Sequence, residues 1–464
     1  MTPLLSEIAL SLDFTRKEIF TSSVFAVLSL AVTRLWIGPL NDLYGARWVM
    51  CWTLVAVAIP TLLSTFLLQG TTSLYLLRLF IGTAGSCFVT AQYWTLSMFT
   101  HEISGTANAL VAGWGNLGGG VAQVVMGSVL FPLAKLMYGG SGFGSSSALD
   151  VWRNEDKDDH YENNDDDDDD GDMAEYDRPS ELAWRTVLAF PGLLCLVMAY
   201  AVVRFGDDTP KGNVSRCRDD SPEHNPNARI NPWKTFRTAI WNRNTLLLSV
   251  QYGCCFGVEI TMTQAAALYF KEEFGQSTEN AAALASVFGW LNVFARGFGG
   301  FGSDYINSRY GMRGRLWYQV ICLVLEGGLV VLFGYSRTLH GAMIVLVFFS
   351  IAVQAAEGST YGIVPYVDSS VLGSVAGIVG SGGNIGGALF VFVFANYDYR
   401  TSFFVMGCTV FASAFWTLFI KIDGHCGLVA GKDSSLIVQR RQQAKPPAII
   451  MIPLGSLDSH SACN

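Results

Sequence analysis

Arg34-Leu35-Trp36-Ile37-Gly38-Pro39-Leu40-Asn41-Asp42 closes one apolar run, and Arg296-Gly297-Phe298-Gly299-Gly300-Phe301-Gly302-Ser303-Asp304 closes another. Both spell Arg-x-x-x-Gly-x-x-x-Asp. A second phrase recurs at nearly the same displacement, as Gly115-Asn116-Leu117-Gly118-Gly119 and Gly383-Asn384-Ile385-Gly386-Gly387. Two unrelated phrases copied in step imply two structurally related halves. An arginine set symmetrically inside each half of a membrane protein implies a paired cationic site between the halves. That arrangement suits an anion carrier.

Composition places the chain in a bilayer. Of 464 residues, 51% are hydrophobic and 15% charged, against about a quarter charged in a soluble protein. The remainder forms continuous apolar runs of the length that crosses a ~30 Å hydrocarbon core as a helix, which favours helices over a β-barrel. Eleven spans are expected, over 19–40, 48–69, 73–98, 105–131, 183–204, 245–268, 280–300, 316–335, 341–362, 373–396 and 401–420. The expected fold class is therefore an all-α membrane protein with two pseudo-symmetric helical bundles. They would occupy 1–204 and 244–420, with a cytoplasmic linker over 205–243 and a cytoplasmic tail over 421–464. The 48 glycines allow close helix contact in lipid.

The ten cysteines are scattered and the six histidines lack ligand spacing. No metal site, cofactor or nucleic-acid partner is expected, and no nucleophile–base set suggests an enzyme. Glu7, Asp13, Arg16, Lys17 and Glu18 interrupt the opening segment, so it is not a signal peptide. Residues 139–181 hold an unbroken acidic run from Asp165 to Asp170 and read as a disordered loop. Arg47, the 301–315 segment with Arg309, Arg313 and Arg315, the linker and the tail all fall on one side, which is then cytoplasmic. The acidic loop falls outside. The repeat pairs the first span with the seventh and the fourth with the tenth, leaving 245–268 unpartnered. Equal halves of six spans predict a further helix ahead of residue 19, expected to be missing from this chain.

Arg34 and Arg296 each lie eight residues, about 12 Å of helix, before the closing Asp. A guanidinium at that depth must face a cavity, a partner or a ligand, or else snorkel to the interface. Its planar fork matches a carboxylate-like or nitrate-like edge, which suits a small planar oxyanion. Gly115, Gly118, Gly383 and Gly386 strip side chains from a helix face, for helix packing or for substrate approach. Asn116 and Asn384 are polar groups in mid-span that need a partner, whether an anion or another helix. Glu259, Glu326 and Glu357 are acids inside spans. Glu259 and Glu357 lead as proton-coupling candidates, with a structural pairing to arginine or asparagine as the competing reading. Tyr252 and Phe256 share one face of a helix and could wall a pore or pack a core.

Gly38, Asp42, Gly45 and Arg47 fall in a segment that resembles the loop signature of the major facilitator superfamily, with Gly300 and Asp304 repeating part of it. Ala112-Gly113-Trp114-Gly115-Asn116-Leu117-Gly118-Gly119-Gly120 resembles the nitrate signature of its nitrate/nitrite porter family, and Ser381-Gly382-Gly383-Asn384-Ile385-Gly386-Gly387 resembles that family's second signature. The resemblance is closest to the eukaryotic high-affinity nitrate transporters. It implies a rocker-switch carrier driven by protons, with nitrate held by Arg34 and Arg296 and flanked by Tyr252 and Phe256. Expected partners are nitrate or nitrite, protons and the lipid bilayer at the plasma membrane. An accessory membrane protein is left open. The alternatives are a carrier of another small anion or organic solute, or a transport-inactive sensor or fragment.

Overall fold

The computed structural model describes residues 4–139, 178–210, 231–276, 278–431 and 433–435. Most of the acidic loop, part of the linker and the tail beyond 435 lie outside the described residues. The first half contains α1 (Leu5–Leu12), α2 (Arg16–Tyr44), α3 (Ala46–Leu67), α4 (Thr71–Gly82), α5 (Cys87–Met98), α6 (Ser104–Ala122), α7 (Phe131–Met137) and α8 (Arg178–Phe205). Then come α9 (Pro232–Trp241), α10 (Arg243–Phe274), α11 (Thr278–Gly334), α12 (Leu339–Ile363), α13 (Leu372–Asn396) and α14 (Tyr399–Ser413). No strand occurs among the described residues.

Local chemistry sets the boundaries. Thr15 and Glu18 form a capping box at the start of α2. Asn242, Thr338 and Asp398 cap α10, α12 and α14 with their side chains. Gly275 ends α10 in the left-handed region, at φ 62°.

Nine helices among the described residues are long and apolar enough to cross a membrane, against the eleven spans read from the sequence. One of the nine runs from Ala283 to Gly334 and covers two expected spans. It breaks at Gly311, whose φ of 69° few other residues adopt. The expected 301–315 loop is thus helix on both sides of one glycine. The span expected over 105–131 is divided among α6, a π-helical turn over Gln123–Leu130, and α7.

The helices are apolar outside as well as in the core. On α2, Val24, Leu28, Val32 and Trp36 recur every fourth residue with exposures of 66%, 57%, 50% and 55%. Ser22, Arg34 and Asn41 on the same helix are buried. Such a stripe has no place in water; it belongs against hydrocarbon. The chain is a multi-pass membrane protein built as two helical bundles.

The repeated phrases dock on one another across the bundles. Gly38 on α2 lies against Gly373 and Ser374 at the start of α13; a side-chain carbon there would sit 3.0 Å from the Gly373 carbonyl carbon. Asp42 accepts from the Gly373 N–H at 2.7 Å, and from the N–H and hydroxyl of Ser374 at 2.8 and 2.7 Å. The second copy repeats the contact in mirror: Gly300 packs on Gly105 and Ala109 of α6. Asp304 accepts from the N–H groups of Gly105 and Thr106 at 3.2 and 2.6 Å, and from the Thr106 hydroxyl at 2.7 Å. Each carboxylate caps a helix N-terminus of the opposite bundle, where the helix dipole favours negative charge. These two docks hold one end of the molecule closed.

Candidate functional site

Arg34 and Arg296 are both buried, at 4% and 1% exposure. They stand in one aromatic box, Arg34 against Phe256 and Arg296 against Tyr252. The Arg34 guanidinium lies over the rings of Phe88 and Phe256, 5.0 and 5.6 Å from their centroids. Tyr252 stacks on Phe256 at 5.2 Å and 7°. The Tyr252 hydroxyl accepts from Arg296 Nη2 at 3.5 Å. Tyr361 closes the box, edge-on to Tyr252 at 5.0 Å and to Phe88 at 5.8 Å. Rings with apolar faces flank the cations without neutralising them.

The two arginines differ in their company. Among the described residues Arg34 donates only to backbone carbonyls, Gly380 at 2.9 Å and Gly85 at 3.3 Å. Among the described residues no carboxylate pairs with it. The Gly85 carbonyl is presented by a 3-10 turn over Thr83–Ser86 that interrupts α4 and α5. Arg296 is instead ion-paired to Glu357, with Glu259 Oε2 3.6 Å from the same Nη2. Two carboxylates therefore compensate one arginine and leave the other bare.

Asn116, from the first bundle, donates to Glu259 Oε1 at 3.0 Å, and Asn292 donates to the same oxygen at 2.6 Å. Asn292 lies one turn from Arg296, away from Asp304, so this tie crosses the bundle interface on the far side of the box from the aspartate docks. Asn384 donates to the Gly380 carbonyl at 3.3 Å, the oxygen that also holds Arg34.

The two glycine phrases serve different ends. A side-chain carbon on Gly383 would meet Phe256 Cδ1 at 2.6 Å and Tyr252 Cδ1 at 2.9 Å. Gly386 packs on the backbone of Gly253, which seats α13 against α10. Gly115 and Gly118 face open space, with nothing within 4 Å.

Glu326 is fully buried, makes no ion pair with either arginine, and has no hydrogen-bond partner on either oxygen among the described residues. The loop residues anchor the ends of their bundles. Gly45 joins α2 to α3 with a φ of 81°. Arg47 bonds the Val203 carbonyl at the end of α8, as Arg313 bonds the Gly427 and Gly431 carbonyls beyond α14, at 3.2 and 2.9 Å. Arg315 is wholly buried, pairing with Asp304 at 2.7 Å and the Gly362 carbonyl at 2.6 Å.

The structure thus gathers Arg34, Arg296, Tyr252, Phe256, Glu259, Glu357, Asn116, Asn384 and Gly383 in and around one box. Phe88, Tyr361 and Asn292 belong to it and were not anticipated. The small-residue run Gly82-Thr83-Ala84-Gly85-Ser86 before Phe88 was the one available signal. The box sets guanidinium groups from the two bundles among aromatic rings, a chemistry suited to a small planar anion.

The Major Facilitator Superfamily profile matches residues 1–167 and 176–391. The high affinity nitrate transporter 2.7 of Arabidopsis thaliana is 31% identical over 445 residues, covering 93% of this chain and 82% of that protein. The nitrate transporter 2.2 of Chlamydomonas reinhardtii is 32% identical over 379 residues, covering 82% and 66%. Among solved structures, the fucose:proton symporter FucP in its outward conformation aligns with a TM-score of 0.63 at 14% identity, covering 89% of this chain and 93% of that one. That likeness concerns the fold.

Proposed function

Because the chain belongs to the nitrate/nitrite porter family of the Major Facilitator Superfamily, we propose that it carries nitrate, with nitrite as a second substrate, across the plasma membrane together with protons. It is a transporter rather than an enzyme. The observation that carries the reading is the shared aromatic box, in which guanidinium groups from opposite bundles touch the stacked pair Phe256 and Tyr252. Guanidinium matches the planar edge of nitrate with paired donors, and the rings of Phe88 and Phe256 can stack on its faces.

The asymmetry of the arginines supports proton coupling. Arg34 attracts the anion. Arg296 is occupied by Glu357 and Glu259, so it can bind an anion only when one of them is neutralised. A proton on Glu357 frees the Arg296 fork, and a proton on Glu259 removes the second competing charge. Two protons per anion give net inward positive charge.

The Asp42 and Asp304 docks close the end that the basic segments make cytoplasmic. Alternating access then consists of releasing these docks while the Asn116–Glu259 side closes, with the site staying between the bundles.

Nitrate-evoked current in cells expressing the chain tests this directly. Inward positive current that grows as the outside is acidified is expected. Labelled nitrate uptake with no dependence on the proton gradient would overturn the coupling, and no uptake at all would overturn the substrate.

A further inference from the structure

α9 lies outside the anion site. Asn231 caps it and Pro232 takes its first turn. Its inner face buries Thr235 and Ala239 and packs on α2 and α13, one helix from each bundle. It also touches the short turn over Ser369–Val371 that leads into the Asp42 dock.

Its outer face carries Trp233, Lys234, Arg237, Thr238 and Trp241, all exposed, the two tryptophans at 58% and 78%. Residues 233, 237 and 241 fall four apart on one face, so both cations sit between aromatic ends. Trp233 also stacks on Trp36 at 6.3 Å, the last member of the hydrocarbon-facing stripe of α2. Among the described residues, neither the Lys234 ammonium nor the Arg237 guanidinium has an acidic or hydrogen-bonding partner.

We propose that this face of α9 docks on anionic lipid headgroups. The tryptophans seat the helix at the boundary between headgroups and hydrocarbon, and Lys234 and Arg237 meet the headgroup charge. Lipid is the occupant, rather than a soluble acidic partner, because Trp233 and Trp36 continue the surface that already faces hydrocarbon. Since the inner face joins α2 to α13, a lipid-held α9 straps the two bundles together beside the Asp42 dock. That last consequence rests on the carrier reading above; the lipid docking does not.

Hydrogen–deuterium exchange of the full-length protein in nanodiscs reads the docking without any transport step. One set of discs holds phosphatidylcholine alone, and the other includes phosphatidylserine. Each cation near an anionic surface favours docking about fivefold, so exchange over Pro232–Trp241 is expected to slow by roughly an order of magnitude or more in the anionic discs. Lys234→Gln with Arg237→Gln should erase that difference while leaving exchange over α10 unchanged, which reports intact folding. Equal exchange in the two lipids, or a double variant that still responds to phosphatidylserine, overturns the proposal.

Discussion

Asn116 of the first bundle donates a hydrogen bond of 3.0 Å to Glu259 of the second, on the opposite side of the arginine box from the aspartate docks. The same carboxylate oxygen accepts from Asn292 at 2.6 Å, while its partner oxygen faces Arg296 at 3.6 Å. One acid therefore touches both the contact between the bundles and the guanidinium of Arg296. Asn116→Ala removes the tie between bundles and leaves Glu259 its other partners. A neutral buried hydrogen bond contributes about 1 kcal/mol and one to a charged group about 1.5–3. Thermal stability should therefore fall modestly, and disulfide trapping of paired cysteines placed on α6 and α10 should show that side open more often. Unchanged trapping would remove Glu259 from gating.

Glu357→Gln keeps the shape of the residue beside Arg296 and removes its charge. Arg296 then has no need of a proton on that side. Exchange of labelled for unlabelled nitrate is expected to continue, while the rise in current with external acid is lost. A variant with parental pH dependence would place coupling elsewhere, with Glu259 and then Glu326 the next acids to test.

The glycine phrases predict opposite responses to a methyl group. Gly383→Ala drives its methyl into Phe256 and Tyr252 and should cost about 1–3 kcal/mol by overpacking, with weaker nitrate affinity. Gly115→Ala and Gly118→Ala meet nothing within 4 Å and should stabilise their helix by up to about 1 kcal/mol. Melting in detergent and uptake kinetics separate the two classes.

Arg315 is wholly buried against Asp304. Arg315→Ala leaves that carboxylate its N–H donors but no cation, and breaking a buried pair costs about 3–5 kcal/mol. Arg315→Ala combined with Asp304→Asn should cost less than the sum of the single changes, because the residues share one interaction. Additive losses in melting temperature would show that the two act independently.

Much of this was legible because repetition survives in the chain. Arg34 with Arg296, and Gly38-x-x-x-Asp42 with its copy, announce paired halves before any packing is known. What the repeat could not reveal is the partner of each residue. Asp42 meets Ser374, and Asp304 meets Thr106, across hundreds of residues, and no local pattern encodes that meeting. The asymmetry of the site was hidden for the same reason: Glu357 reaches Arg296 only through the packing of α12 on α11. Phe88 lacks any motif and owes its place to a 3-10 turn in a run of small residues. α9 was read as linker because prolines crowd 210–232, yet Asn231 and Pro232 form a helix start that its aromatic spacing extends.

Nitrate binding to the purified protein, measured by calorimetry for Arg34→Ala, Arg34→Lys and Arg296→Ala, tests the central claim most directly. Losing a charge-assisted bond costs about 1.5–3 kcal/mol, so each alanine variant should bind at least tenfold more weakly. Arg34→Lys should fail to restore affinity, since it keeps the charge but loses the planar fork. Parental affinity in both alanine variants would contradict the account.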